Sequence, residues 1–144
     1  MIRYTLEREI QKPTDQVVRL FMDRELMFKW QPGLLSSDQV VGSESPRYKL
    51  RFAFGRRKMT MTETIIRNEL PAYFEGTYEM KGVHNRVINR FIPLGNHATR
   101  WVCENEFRFK GIMQIVAYFM RDSFRRQSEI IMKNFKGFAE SYRI

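Results

Sequence analysis

The last third of this 144-residue chain constrains its fold most, because it predicts one long amphipathic helix that has no second long helix to pair with. Between Gly111 and Tyr142, apolar residues recur mostly at steps of three and four, with basic residues largely between them. The apolar positions are Ile112, Val116, Phe119, Met120, Phe124, Ile131, Phe135, Phe138 and Tyr142. We expect a sheet formed by the preceding chain to cover this stripe.

The chain before the helix predicts that sheet. Apolar and charged residues alternate between Ile2 and Ile10, which indicates a first strand, and Pro13 ends it. Two short helices follow, one capped by Thr14 and one starting at Asp23. Six further strands are predicted at residues 36–43, 47–55, 58–68, 72–81, 83–92 and 98–109, joined by short turns. The expected class is α+β, with one domain over residues 1–144.

Charge and cysteine content narrow the class of protein. The 25 Lys and Arg residues outnumber the 16 Asp and Glu residues, and the net charge of +9 favours anionic partners. The basic residues are spread over strands and helix, so a solvated basic surface explains most of them. With Cys103 as the single cysteine no intrachain disulfide can form, and residues 1–10 resemble neither a signal peptide nor a membrane span. We therefore expect a cytoplasmic protein without a transmembrane segment.

Alternation along the strands predicts which side chains face the helix. The inward row is mostly apolar and aromatic, but it contains several polar groups: Glu63, Asn85, Asn89, Asn105 and the hydroxyls of Tyr48 and Tyr78. A few polar groups among apolar walls are typical of a small-molecule site. The competing explanation is a β-bulge that shifts the alternation, or a position near a strand end that reaches water.

Glu63 is the most informative of these residues. A carboxyl group between Met61 and Ile65 on an inward row would be desolvated and could act as an acid or base. We expect Glu63 to face the interior, where pairing with an Asn or Tyr for structural reasons competes with a catalytic role. Glu63 and Tyr78 are the only candidates for catalytic residues.

The sequence lacks the residues that metal binding, nucleotide binding and serine hydrolase activity usually require. His84, His97 and Cys103 have no metal-binding spacing, and the sequence contains neither a phosphate-binding glycine loop nor a serine nucleophile elbow. Cys103, on an inward row, is predicted to be a small buried hydrophobe. No cofactor and no metal are predicted.

The element order of the whole chain and about its first thirty residues resemble the START-like superfamily, which includes polyketide cyclases and dehydrases, birch-pollen-allergen relatives and lipid-transfer domains. The residues that carry the resemblance are Ile10, Lys12, Pro13, Val17, Phe21, Asp23, Trp30, Pro32 and Gly33. The resemblance implies a helix-grip fold, in which a curved seven-stranded antiparallel sheet holds the last helix above a pocket for hydrophobic ligands.

The leading hypothesis is a protein that binds a small hydrophobic molecule, lipid-like or aromatic, between sheet and helix. The expected pocket residues are Tyr48, Phe52, Met61, Glu63, Tyr78, Asn85, Val87, Trp101, Cys103, Asn105, Val116, Phe119, Met120, Ser123 and Gln127. One alternative is an enzyme like the cyclases and dehydrases. Another is a basic module for an acidic protein or membrane surface, with contacts at Arg56, Arg57, Lys58, Arg121, Arg125 and Arg126; nucleic acid is disfavoured because the aromatic residues are assigned inward.

Overall fold

The computed structural model describes residues 1–143 and contains a seven-stranded antiparallel sheet with a long helix after its last strand. The elements are β1 (Ile2–Ile10), α1 (Thr14–Met22), a 3₁₀ helix (Arg24–Lys29), β2 (Leu34–Gln39), β3 (Arg47–Phe54), β4 (Arg57–Glu69), β5 (Tyr73–Met80), β6 (Val83–Leu94), β7 (Ala98–Phe109) and α2 (Met113–Ser141). The strand order is β1-β7-β6-β5-β4-β3-β2. The predicted helix-grip architecture is confirmed.

The two short helices begin differently from each other. Asp23 caps the 3₁₀ helix as predicted, because its carboxylate accepts a hydrogen bond from the Glu25 amide at 3.1 Å. The predicted cap at Thr14 is wrong, since Pro13 precedes α1 without a side-chain cap. The Thr14 hydroxyl is instead 2.8 Å from that of Thr99, a contact that ties α1 to β7.

The strand register aligns the inward polar residues that the sequence singled out. Tyr48 on β3 is directly opposite Glu63 on β4, which is opposite Tyr78 on β5, which is opposite Asn85 on β6. A register shift does occur in β4, but it lies between Ile65 and Arg67 and leaves Glu63 on the inward face. The four residues therefore form one continuous row across the concave face.

The carboxy-terminal half of α2 closes the core. Met132, Phe135 and Ala139 are 1%, 0% and 0% exposed. Aromatic rings fill the space between this half of the helix and the sheet: Phe21, Trp30, Phe74, Phe91, Trp101 and Phe135. Phe21, on α1, packs against each of the other five at centroid distances of 5.0 to 5.9 Å. No open space for a ligand is expected in this part of the interior.

The amino-terminal half of α2 is organised differently from the prediction. Ala117 is the buried residue of these turns, and Phe119 follows it by about 200° around the helix. Phe119 therefore points away from the sheet and is 79% exposed, so its predicted inward placement is wrong. Met120, also predicted inward, is 48% exposed, and Ile112 of the predicted stripe is 75% exposed.

The turn between β5 and β6 positions the start of α2. Gly82 has a φ of +77°, and a Cβ there would lie 2.7 Å from Cγ of Met113. Only glycine combines this backbone conformation with so close an approach. The Gly82 carbonyl also accepts a hydrogen bond from the Lys110 amide at 2.9 Å. The first turn of α2 is thus held against a hairpin tip at one end of the sheet.

Candidate ligand-binding site

An ion pair between half-buried Arg24 and a buried carboxylate lies on the concave face where the 3₁₀ helix meets the sheet. Glu63 on β4 is 3% exposed, and its Oε1 accepts a hydrogen bond from Nη2 of Arg24 at 2.7 Å. The Tyr78 hydroxyl donates to the other carboxylate oxygen at 2.6 Å. The prediction that Glu63 faces inward is confirmed, and Glu63 and Tyr78 lie on the same wall.

Arg24 is held in place by two further contacts. Its guanidinium carbon lies 3.4 Å from the centroid of the Tyr48 ring, and its Nη2 donates to the Ser37 hydroxyl at 2.8 Å. Its Nε is buried without a protein hydrogen-bond partner among residues 1–143. We call Arg24, Ser37, Tyr48, Glu63 and Tyr78 the polar cluster. The Arg24 guanidinium compensates the burial of the Glu63 carboxylate.

Sequence reasoning missed Arg24 and Ser37. A buried carboxylate requires a cation or several donors, so the prediction that Glu63 is inward already implied a partner of that kind. Arg24 is nearly forty positions away along the chain and directly follows the Asp23 cap, which gave it the appearance of an ordinary helix residue. The contact depends on how the 3₁₀ helix sits over β4, which spacing does not encode.

Tyr78 serves as a hydrogen-bond donor in this cluster. Burial raises the pKa of Tyr78 well above its usual range, and the adjacent Glu63 carboxylate adds to the effect because it repels the phenolate. The phenol consequently keeps its proton at neutral pH. Its hydroxyl can donate to Glu63, or to a ligand oxygen that displaces the carboxylate.

The other predicted polar residues form hydrogen bonds with one another, with the backbone or with residues of the aromatic core. The Asn85 amide donates to the Asn105 side chain at 3.4 Å and to the Glu106 carbonyl at 3.2 Å. Asn89 accepts from the indole of Trp101 at 2.8 Å, a buried bond within the aromatic core. Asn89 therefore has a structural role, whereas Asn85 borders the row that carries Glu63 and Tyr78.

Half-buried side chains lie beside the polar cluster on the sheet and along one side of α2, and we call the region between these two sets the cleft. On the sheet they are Tyr48, Met61, Tyr78, Asn85 and Val87, and on the helix they are Val116, Ser123 and Gln127. Val116, Ser123 and Gln127 occur at steps of seven and four, so they share one side of α2. By contrast Phe52, Trp101, Cys103 and Asn105 are buried, at 7%, 2%, 6% and 6% exposed.

Cys103 behaves as the predicted buried hydrophobe. Its sulfur accepts a hydrogen bond from the Asn105 amide at 3.3 Å, and burial raises the pKa of the thiol from 9.0 to about 12. Burial likewise raises the pKa of Tyr4 from 10.0 to about 12. Because the thiolate is the nucleophile, the folded protein should resist thiol reagents at neutral pH.

These raised pKa values predict loss of stability in alkali. Between pH 9.0 and about 12 the unfolded chain has released the Cys103 proton that the folded chain retains, so the free energy of unfolding falls as pH rises. The slope is about 1.4 kcal/mol per pH unit for each such group. Urea titrations of the native chain and of Cys103→Ala between pH 9.0 and 10.0 measure the difference in slope, because the tyrosines contribute equally to both proteins. Equal slopes for the two proteins would contradict the assignment to Cys103.

A separate cavity of about 450 Å³ lies on the other side of α2, against the edge formed by β1 and β7. Its lining consists of Met1, Ile2, Phe109, Gln114, Ala117, Tyr118 and Arg121, none of which belongs to the predicted pocket set. The polar lining residues Gln114, Tyr118 and Arg121 are all exposed. Buried polar groups converge in the cleft and not in this cavity, so the cleft is the better candidate for specific recognition.

The seven-stranded antiparallel sheet, the long carboxy-terminal helix packed on it and the polar cluster on its concave face define a helix-grip protein of the START-like class. Solved structures share this fold. A Thermus thermophilus protein superposes with a TM-score of 0.76 at 16% identity, covering 95% of this chain and 96% of its own. The ZhuI aromatase/cyclase from Streptomyces sp. R1128 gives a TM-score of 0.77 at 14% identity, covering 96% and 93%.

The chain belongs to the family described as polyketide cyclase / dehydrase and lipid transport, which it matches over residues 1–136. A Chromobacterium violaceum protein is also similar in structure, with a TM-score of 0.73 at 18% identity over 99% of this chain and 100% of its own. None of the curated proteins compared with the chain matches it. Within residues 1–143, no helix combines the length and apolar character needed to cross a bilayer.

Proposed function

We propose that this protein binds a small hydrophobic molecule, lipid-like or aromatic, in the cleft between the concave face and α2. The observation that carries the proposal is a carboxylate only 3% exposed, held by Arg24 and Tyr78 beside half-buried Met61 and Val87. Apolar walls would bury the body of such a ligand at about 25 cal/mol per Å². The polar cluster would orient a hydroxyl or carbonyl group at one end.

A second function, catalysis of the cyclase or dehydrase type, is favoured by the 2.6 Å contact between Glu63 and Tyr78. Family membership and the aromatase/cyclase among the structural neighbours also support it. Against it, both Glu63 oxygens already have partners, so a proton transfer to substrate would first require Arg24 or Tyr78 to release one of them. Binding needs no such rearrangement and is therefore the preferred function.

Ligand binding is expected to be blocked by filling the cleft. Val87→Trp places a large ring on the inward face of β6 and should weaken binding of the neutral probe N-phenyl-1-naphthylamine by at least roughly tenfold. The matched control is Ile66→Trp, because Ile66 is 49% exposed in the β4 bulge and does not face the cleft. Probe fluorescence on titration measures both affinities, and native mass spectrometry of the freshly purified protein tests for a co-purified apolar mass.

Equal probe affinity for the two tryptophan variants and the native chain, with no co-purified mass, would overturn the binding proposal. A linear compound with several β-carbonyl groups separates the two functions. Binding of this compound without chemical conversion supports the ligand-binding function. Conversion to a cyclised product that Glu63→Gln abolishes while probe binding persists would establish the second.

A further inference from the structure

One end of the sheet gathers basic residues from three separate places in the sequence. Strands β3, β5 and β7 run in the same direction, because each is separated from the next by one antiparallel neighbour. Their carboxy termini therefore lie at the same end of the sheet. The segments that follow them carry Arg56, Arg57 and Lys58, then Lys81, then Lys110. All five side chains are exposed. We call this group the basic end.

Ion pairing does not neutralise the basic end. Residues 55–58, 81–82 and 110–112 contain no Asp or Glu. Within residues 1–143, the ion pairs of the protein involve none of these five basic residues. Their charges therefore add into a positive field at one end of the molecule instead of forming the cross-strand pairs seen elsewhere on the sheet.

Exposed apolar side chains lie at the start of α2, directly after Lys110. Ile112, Ile115 and Phe119, at steps of three and four in the first turns of α2, are 75%, 61% and 79% exposed. They lie on the side of the helix opposite the buried Ala117. A contiguous group of large apolar side chains with this exposure is unusual on a free surface and marks an interaction site. Further along α2 the basic residues Arg121, Arg125 and Arg126 follow.

We propose that the basic end docks on a membrane surface containing anionic phospholipids. Ile112, Ile115 and Phe119 would enter the boundary between headgroups and acyl chains, while the five basic side chains would contact lipid phosphates. A second copy of this chain is a poor occupant, since it would bring the same positive charges together. Nucleic acid would use the charges but leave the aliphatic Ile112 and Ile115 unexplained.

Docking in this orientation extends the ligand-binding function without depending on it. Met1, Ile2, Phe109 and Gln114, which line the cavity of about 450 Å³, also belong to this end of the molecule, since β1 starts where β7 ends. The cavity would thus open toward the lipid. If the cleft takes up an apolar molecule, docking would bring the first turns of α2 next to the lipid phase from which such a molecule partitions.

Vesicle co-sedimentation of the full chain tests the proposal. The expected result is binding to vesicles of phosphatidylcholine with phosphatidylglycerol, and little binding to phosphatidylcholine alone. Arg56→Gln/Arg57→Gln/Lys58→Gln should lower the partition coefficient roughly 100-fold, given the contribution of each basic residue near a surface. Ile115→Ser/Phe119→Ser should lower it at least roughly tenfold, because apolar burial is lost.

Two control variants make the same chemical changes elsewhere. Arg19→Gln/Arg100→Gln/Lys133→Gln removes three exposed basic residues away from the basic end, and Ile66→Ser/Ile92→Ser removes two exposed isoleucines. Both controls should keep most of the binding. A charge control that loses as much as the basic-end triple variant would overturn the proposal.

A fluorescent label at position 119 distinguishes lipid from other polyanions. Phe119→Cys in the Cys103→Ala background carries one thiol for an environment-sensitive dye, whose emission should shift to the blue when anionic vesicles are added. Binding to heparin or duplex DNA as tight as to vesicles, with no effect of Ile115→Ser/Phe119→Ser on either, would show simple polyanion binding and overturn membrane docking.

Discussion

Replacing Phe135 with alanine is expected to lower the free energy of unfolding by about 4 kcal/mol. Phe135 is 0% exposed, and its ring lies 4.9 Å from that of Trp30, 5.2 Å from that of Trp101 and 5.7 Å from that of Phe21. The substitution removes the burial of a large aromatic side chain and leaves a cavity whose rigid aromatic walls relax little. The Phe135→Ala substitution therefore weakens the packing of α1, α2 and the sheet against one another.

Urea unfolding followed by far-ultraviolet circular dichroism measures this change. The matched control is Phe119→Ala, the same substitution on the same helix at a side chain that is 79% exposed, which should change the free energy of unfolding by less than about 0.5 kcal/mol. Similar losses for the two variants would mean that α2 is not packed on the sheet as described.

Replacing Arg24 with methionine is expected to cost about 3 kcal/mol, the second large effect. The variant leaves the Glu63 carboxylate buried with Tyr78 as its remaining hydrogen-bond partner. A buried charge without its counter-ion is expensive, whereas a neutral amide in the same place requires only hydrogen bonds. The double variant Arg24→Met/Glu63→Gln should therefore recover about 2 kcal/mol of the loss.

The comparison of single and double variants separates charge from packing. If Arg24 stabilised the fold only through its stacking on Tyr48, Glu63→Gln would recover nothing in the Arg24→Met background. A matched control is Arg125→Met, which breaks an exposed pair with Glu129 and should cost no more than about 0.5 kcal/mol. A loss of that size for Arg24→Met would contradict the assignment of a buried ion pair.

Sequence alternation predicted the sheet well because one face of each strand is buried. Glu63, Asn89 and Asn105 were assigned inward from alternation, and they are 3%, 5% and 6% exposed. The same reasoning failed for Phe119, because the helical stripe was read as one continuous face. Apolar residues on the first turns of α2 belong to two faces, and only the position of the sheet distinguishes them.

The candidate site was predicted in part. Tyr48, Glu63 and Tyr78 were named from their inward positions, and the register aligns them on adjacent strands. Arg24 was not identified, since its partner Glu63 is on a strand distant in sequence. A single arginine after a helix cap does not by itself indicate a buried ion-pair partner. Arg56, Arg57 and Lys58 were assigned to a basic surface, and Ile112 and Phe119 to the helical stripe, so sequence reasoning did not place them at the same end of the molecule.

The element order, the inward face of each strand and the presence of a carboxylate among apolar neighbours could be predicted from the sequence, because they follow from local periodicity and steric preference. Tertiary structure alone decided what that carboxylate meets, how far α2 covers the sheet and which charges gather at one end. Those outcomes depend on contacts between distant segments. The second half of α2 is deeply buried on the sheet, whereas in its first turns Ala117 is buried and Ile115 and Phe119 are exposed.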